Sequence, residues 1–138
     1  MKKILLILTL ALLAGFASKA QDDGDEKIRD KMREFIQRRL NLNRNEAERF
    51  TPVFIRYFKE WRQTLREHKE DVLERQKRIV DLRIRYRTEF REIVGEKRST
   101  EIFRQQEVFI DNLRKVREEQ VRNRKDDRPN KRLRSLIE

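Results

Sequence analysis

The chain contains no cysteine at all, so neither a disulfide framework nor a cysteine-linked lipid anchor is open to it. It has three glycines, two prolines and a single histidine in 138 residues. Such sparse punctuation leaves few places to turn, and no alternating apolar–polar stretch of useful length suggests a strand. These absences predict an all-α chain. They also thin out the chemistry. There is no Gly-rich phosphate loop, and beyond the first twenty residues serine occurs only at Ser99 and Ser135. Carboxylates are plentiful, but arginines sit at helical spacing beside them, the pattern of solvated ion pairs and not of a desolvated acid–base couple. His68 has only Glu67, Glu70 and Asp71 for company, too little for a metal site. Met32 reads as core filler. The expectation is a non-enzyme with no catalytic residues, no metal and no cofactor.

What is present begins with an export signal. Met1-Lys2-Lys3 precedes an apolar run from Ile4 to Ala17, and small residues at Ser18 and Ala20 lead to Gln21. A basic start, a short apolar core and small residues before the cut describe a secretory signal peptide over 1–20. The run falls short of the roughly 20 apolar residues that a membrane span needs. A periplasmic protein, cleaved before Gln21 and without a stable membrane anchor, is expected. Lys2, Lys3 and Lys19 leave with the signal, so 33 of the 36 basic residues remain against 25 acidic ones. That excess would suggest nucleic acid in a cytosolic protein. Export makes acidic polypeptides and anionic lipid surfaces the more natural polyanions, and no nucleic-acid partner is expected.

Along the mature chain, 21–25 read as an acidic, flexible leader with Asp25 as an N-cap. A first helix follows over 26–40, its apolar face made of Ile28, Met32, Phe35, Ile36 and Leu40. Asn41-Leu42-Asn43 breaks it. Asn43 then caps a second helix, Glu46 completes a capping box and Leu42 serves as the hydrophobic staple. Behind the cap, Phe50, Phe54, Tyr57, Phe58 and Trp61 recur at spacings of three and four, half of the ten aromatics that follow the signal. Pro52 predicts a kink. A seven-residue spacing through Phe58, Leu65, Val72, Ile79, Tyr86 and Ile93 is compatible with one long helix. A break within Glu67–Asp71 is slightly favoured over it, giving four antiparallel bent helices in place of three long ones. Gly95 is expected in the left-handed position after a helix end. Ser99 then caps a last helix over 100–122, with Ile102, Phe103, Phe109, Ile110, Leu113, Val116 and Val121 as its apolar face. Residues 123–138 read as a basic flexible tail, in which Leu133, Leu136 and Ile137 could dock as one short turn. The aromatic stripe looks too wide for four small helices to cover, so part of it is expected to meet a second protomer or a client.

The segment Leu42-Asn43-Arg44-Asn45-Glu46-Ala47-Glu48-Arg49-Phe50-Thr51-Pro52-Val53-Phe54, with the signal peptide and the cysteine-free helical chain, resembles the Spy/CpxP group of periplasmic proteins. That group carries an LTxxQ motif at a helix start. Here Leu42 keeps the leucine, Asn43 stands for the threonine and Glu46 for the glutamine. The continuation through Phe50, Pro52 and Phe54 is similar to a divergent branch labelled as sensors of extracytoplasmic-function sigma factors. A second copy of the motif would fall at Val94–Arg98, where the match is poor. The resemblance implies a curved homodimer of bent antiparallel helices that holds unfolded or misfolded envelope proteins without ATP, as a holdase or stress modulator. Arg56, Tyr57, Trp61, Arg62, Arg83 and Arg87 are the candidate client contacts; Leu42, Asn43, Glu46, Phe50, Pro52 and Phe54 are the structural motif. The alternative is a regulator with one partner, such as a sensor or anti-sigma protein. Attachment to lipopolysaccharide or another anionic surface through the basic tail, and metal sensing, are further readings.

Overall fold

The computed structural model describes residues 22–134, with side chains as far as Asp126. The proposed signal peptide and the last four residues lie outside the described residues. Four helices make up the fold, and no strand occurs among the described residues. They are α1 (22–39), α2 (Arg44–Glu67), α3 (Val72–Val94) and α4 (Glu96–Arg134).

Cross-helix contacts fix their order and direction. Gln37 donates to Thr51 (3.2 Å) near one end of α1, and Asp25 accepts from Arg62 (2.6 Å) near the other, so α1 and α2 run antiparallel. Arg56–Glu89 and Arg85–Glu60, both at 2.7 Å, set the same relation between α2 and α3. Phe90 against Phe103 and Arg83 against Gln106 extend it to α4. Arg39 on Gln105 (3.0 Å) and Phe35 on Phe109 return α4 to α1. The result is an up-and-down four-helix bundle in which each helix is antiparallel to both neighbours.

The capping box at α2 forms as expected. Asn43 Oδ1 accepts from the Glu46 amide at 2.8 Å, and Glu46 accepts from the Asn43 amide at 3.2 Å. Arg98 of α4 reaches the same carboxylate at 3.1 Å and the Leu40 carbonyl at 3.4 Å, fastening the end of α1, the start of α2 and the start of α4 together. Hydrogen bonds from Arg98 and the Asn43 amide hold the Glu46 carboxyl below its ordinary pKa. The α2 backbone stays helical through Pro52.

The helices separate where the seven-residue spacing left a choice. α2 ends at Glu67, His68 is its C-cap, and Asp71 caps α3 by accepting from the Glu74 amide at 3.0 Å. Arg75 donates to the Lys69 carbonyl at 2.8 Å and braces the corner.

Four expectations are corrected. Residues 22–25 are not a leader but the first turn of α1, and Asp25 is no cap: it is paired with Arg62 and Arg66, a partnership between helices that local pattern does not contain. Gly95 ends α3 at positive φ, as expected, but outside the left-handed helical well. At φ 84°, ψ 172° it lies in an extended region essentially reserved for glycine. Its carbonyl accepts from the Ser99 amide at 3.0 Å, so Gly95 both closes α3 and opens α4. Ser99 is consequently not the cap. It is buried in the first turn of α4 and donates to the Glu96 carbonyl at 2.7 Å. Finally, α4 does not end at Arg122, since its backbone remains helical to Arg134.

The core is aromatic. Phe50, Phe54, Tyr57, Phe58 and Trp61 of α2 meet Leu82, Tyr86, Phe90 and Val94 of α3, Met32 and Ile36 of α1, Leu40 just after it, and Ile102 of α4. Tyr57 crosses the bundle to touch Phe103 (5.5 Å between centroids), and its hydroxyl donates to Gln106 at 2.5 Å. The width of the stripe has a structural cause: α2 faces α1, α3 and, through Tyr57, α4. Three partners cover it, and all five rings are 8% exposed or less.

Candidate functional site

Burial divides the six proposed client contacts. Tyr57 is fully buried and Trp61 nearly so, which withdraws both from any surface role as free aromatic side chains. Arg56 is exposed and paired with Glu89. Arg62 is engaged with Asp25 in the crevice between α1 and α2. Arg83 bonds Gln106 and Glu107, and its guanidinium sits 5.8 Å from the Phe103 ring centre. Arg87 is half-buried, and its Nε has no hydrogen-bond partner among the described residues. Arg56 and Arg62 thus engage different neighbours of α2, and the six do not form one site.

A different surface emerges at the end of the bundle holding the α2–α3 corner. The cap at Asp71 starts α3 with Val72 and Leu73 turned to solvent; Leu73 is 78% exposed and Val72, Val80 and Ile84 about half. Beside them opens a groove of about 480 Å³. Trp61 and Leu65 come from α2, Ile79, Val80 and Arg83 from α3, and Ile110 from α4. Its rim is polar, because Arg83 reaches across from α3 to Glu107 of α4. Beneath that pair lies the buried Tyr57–Gln106 contact, where burial pushes the Tyr57 hydroxyl pKa up. Burial opposes the Arg83 charge as well, but Tyr57 and Glu107 outweigh it and its pKa rises. The Arg83 cation is therefore a fixed part of the rim.

Past the groove, α4 is no longer covered. From Arg114 to Asp126 every described residue of α4 is exposed, including Val116 and Val121 at about half. Periodicity places these two on the packed face, but the structure leaves them without a covering helix. Val72 was the one groove-side residue in the seven-residue line that proves to be exposed. Leu73, Val80 and Ile84 were not singled out. Their signal was available: they are apolar positions off the main stripe of a strongly charged helix.

No group of three or more His, Asp or Glu side chains is close enough to hold a metal ion among the described residues. No helix among them is long and apolar enough to cross a membrane. No protein-family model, curated protein or solved structure matches the chain.

Proposed function

We propose that this chain is an ATP-independent holdase and envelope-stress modulator, which takes apolar segments of unfolded proteins onto the α3 face and the adjoining groove. The observation that carries this reading is Val72, Leu73, Val80 and Ile84 standing in water beside a Trp61-backed groove. A soluble bundle gains nothing in stability from side chains it leaves uncovered, and such a patch marks an interaction surface. The contact it offers is sequence-tolerant: aliphatic side chains against any apolar segment, with the Arg83–Glu107 rim accepting polar flanks of either sign. The resemblance of Leu42, Asn43 and Glu46 to the Spy/CpxP helix start supports the same class of function, and with it a curved homodimer as the working form.

The groove also favours a second reading. A recess of definite size suits one apolar anchor, as a single-partner regulator would use. Light scattering separates the two. Under the holdase reading, the chain from Gln21 onward suppresses aggregation of two unrelated clients without nucleotide at near-stoichiometric dimer, and the triple change Leu73→Ser, Val80→Ser, Ile84→Ser removes the effect while the melting temperature holds. Suppression of neither client sinks the general chaperone and leaves the regulator.

A further inference from the structure

Charge is distributed unevenly between the bundle and the free half of α4. Residues 22–113 carry 23 basic and 20 acidic side chains; residues 114–134 carry 10 and 4. The smaller segment thus holds an excess of six, against three for a body more than four times as long. Pairing is uneven too. Body arginines reach carboxylates on neighbouring helices, as in Arg56–Glu89, Arg62–Asp25 and Arg85–Glu60. In the arm, among the described residues, the ion pair formed is Arg114 with Asp111, while Lys115, Arg117, Arg122, Arg124 and Lys125 project into solvent with none.

Helical register orders this excess. At 3.6 residues per turn, Arg114, Arg117, Val121, Arg124 and Lys125 fall within about 100° of one another, Glu118 lies at the margin of that edge beside Lys125, and Glu119 and Asp126 lie on the opposite side. The arm is a rod about 30 Å long with one basic edge.

We propose that residues 114–134 are an electrostatic arm for an anionic lipid surface, with headgroup phosphates as the chemistry it recognises. The composition of the edge separates that partner from others. Single-stranded nucleic acid is gripped by stacking on aromatic rings, and α4 has none beyond Phe109. A protein interface needs a packed apolar or aromatic centre, and Val121 is the one apolar residue of the edge. A sheet of lipid phosphates requires neither. Its attraction adds up over basic side chains near the surface and needs no fixed geometry. Lacking an apolar face, the arm adsorbs without inserting. The choice of lipid over duplex nucleic acid rests on the export signal read at 1–20. It is independent of the holdase reading, which concerns the groove and is tested on soluble clients.

Co-flotation with vesicles tests it, using the chain from Gln21 onward, which contains every residue of the bundle. At low salt the protein floats with vesicles containing phosphatidylglycerol and stays behind with phosphatidylcholine alone. Each basic side chain near the surface contributes roughly fivefold in binding, so the double change Arg117→Gln, Arg124→Gln weakens it about 25-fold. The charge-matched pair Arg44→Gln, Arg104→Gln, on exposed body positions, changes it less than about threefold. All four side chains are exposed, and the melting temperature serves to confirm that the variants fold. Equal losses in the two variants overturn the arm, because net charge alone would then explain the binding. Retention on phosphatidylcholine vesicles overturns it as well. Tighter binding to duplex DNA at equal phosphate concentration overturns the lipid assignment in favour of nucleic acid.

Discussion

Replacing Phe90 by alanine tests the claim that the aromatic stripe is internal. Phe90 is fully buried, and its ring lies 5.4 Å from Phe50, 6.1 Å from Tyr57, 6.2 Å from Tyr86 and 6.0 Å from Phe103. Three helices therefore meet at one side chain. Removing a buried phenylalanine typically costs about 3–5 kcal/mol, from lost transfer energy and from the cavity left behind. Large neighbouring rings held by their own helices cannot collapse fully into the gap, which places the cost in the upper part of that range. A domain of this size has only about 5–15 kcal/mol of stability in total. At roughly 3–5 °C per kcal/mol, the melting temperature should drop by about 12–25 °C. Leu73→Ala is the matched control, because an exposed leucine outside any packed contact should change stability by under about 0.5 kcal/mol. Thermal melts followed by circular dichroism at neutral pH read both. A Phe90→Ala protein melting within about 4 °C of the parent would refute the reasoning. The helices would then not converge on Phe90, and the aromatic stripe would return as a candidate client surface.

Gly95 supplies a test of backbone geometry. A Cβ there would meet nothing within 4 Å, so Gly95→Ala should cost about 1–3 kcal/mol purely from the backbone region, and Gly95→Asn should be no better, whereas a left-handed site would accept asparagine. Asn43→Ala, read by chemical denaturation, should cost about 1 kcal/mol through loss of the α2 cap. In alkali, burial first and the hydrogen bond to Glu60 second push the Tyr86 hydroxyl up to about 12, from an ordinary value near 10. Native and unfolded chains both hold that proton below pH 10. Between 10 and 12 only the native state holds it, so stability should fall as pH rises through that window, and Tyr86→Phe should flatten the fall.

Local signals were legible wherever one helix supplied all the partners. The α2 cap needs only Asn43 and Glu46, and both behave as the spacing requires. The face formed by Met32 and Ile36 of α1 and Leu40 at its end follows directly from periodicity, and all three are buried. The corner at 68–71 was readable because the apolar stripe thins there, whereas the cap at Asp71 comes from the structure. What escaped depended on a second helix. Asp25 looked like a cap because its partners, Arg62 and Arg66, are far away in sequence. Ser99 looked like a cap because nothing local reveals that Gly95 has already performed that function. The stripe looked too wide because width was judged against one neighbour, while α2 packs on several. Val116 and Val121 continued the apolar period of α4, but period alone does not say where the covering helices stop.

That last point links the two proposed surfaces. Past the groove beside Ile110, α4 continues with every side chain from Arg114 to Asp126 exposed, which leaves its basic edge free. Seven residues separate Ile110 from Arg117, a rise of only about 10 Å. An arm lying on a charged sheet would therefore hold the groove next to that sheet. The two surfaces respond to different conditions. Aliphatic contact at Leu73, Val80 and Ile84 strengthens slightly with salt. Attraction along the arm is screened over a Debye length of about 10 Å at 0.1 M, where exposed charges feel it most. Moderate salt should thus release the protein from anionic vesicles while leaving suppression of client aggregation intact. A parallel loss of both activities would mean that the arginines, and not the aliphatic face, hold the clients, and the groove would lose its role.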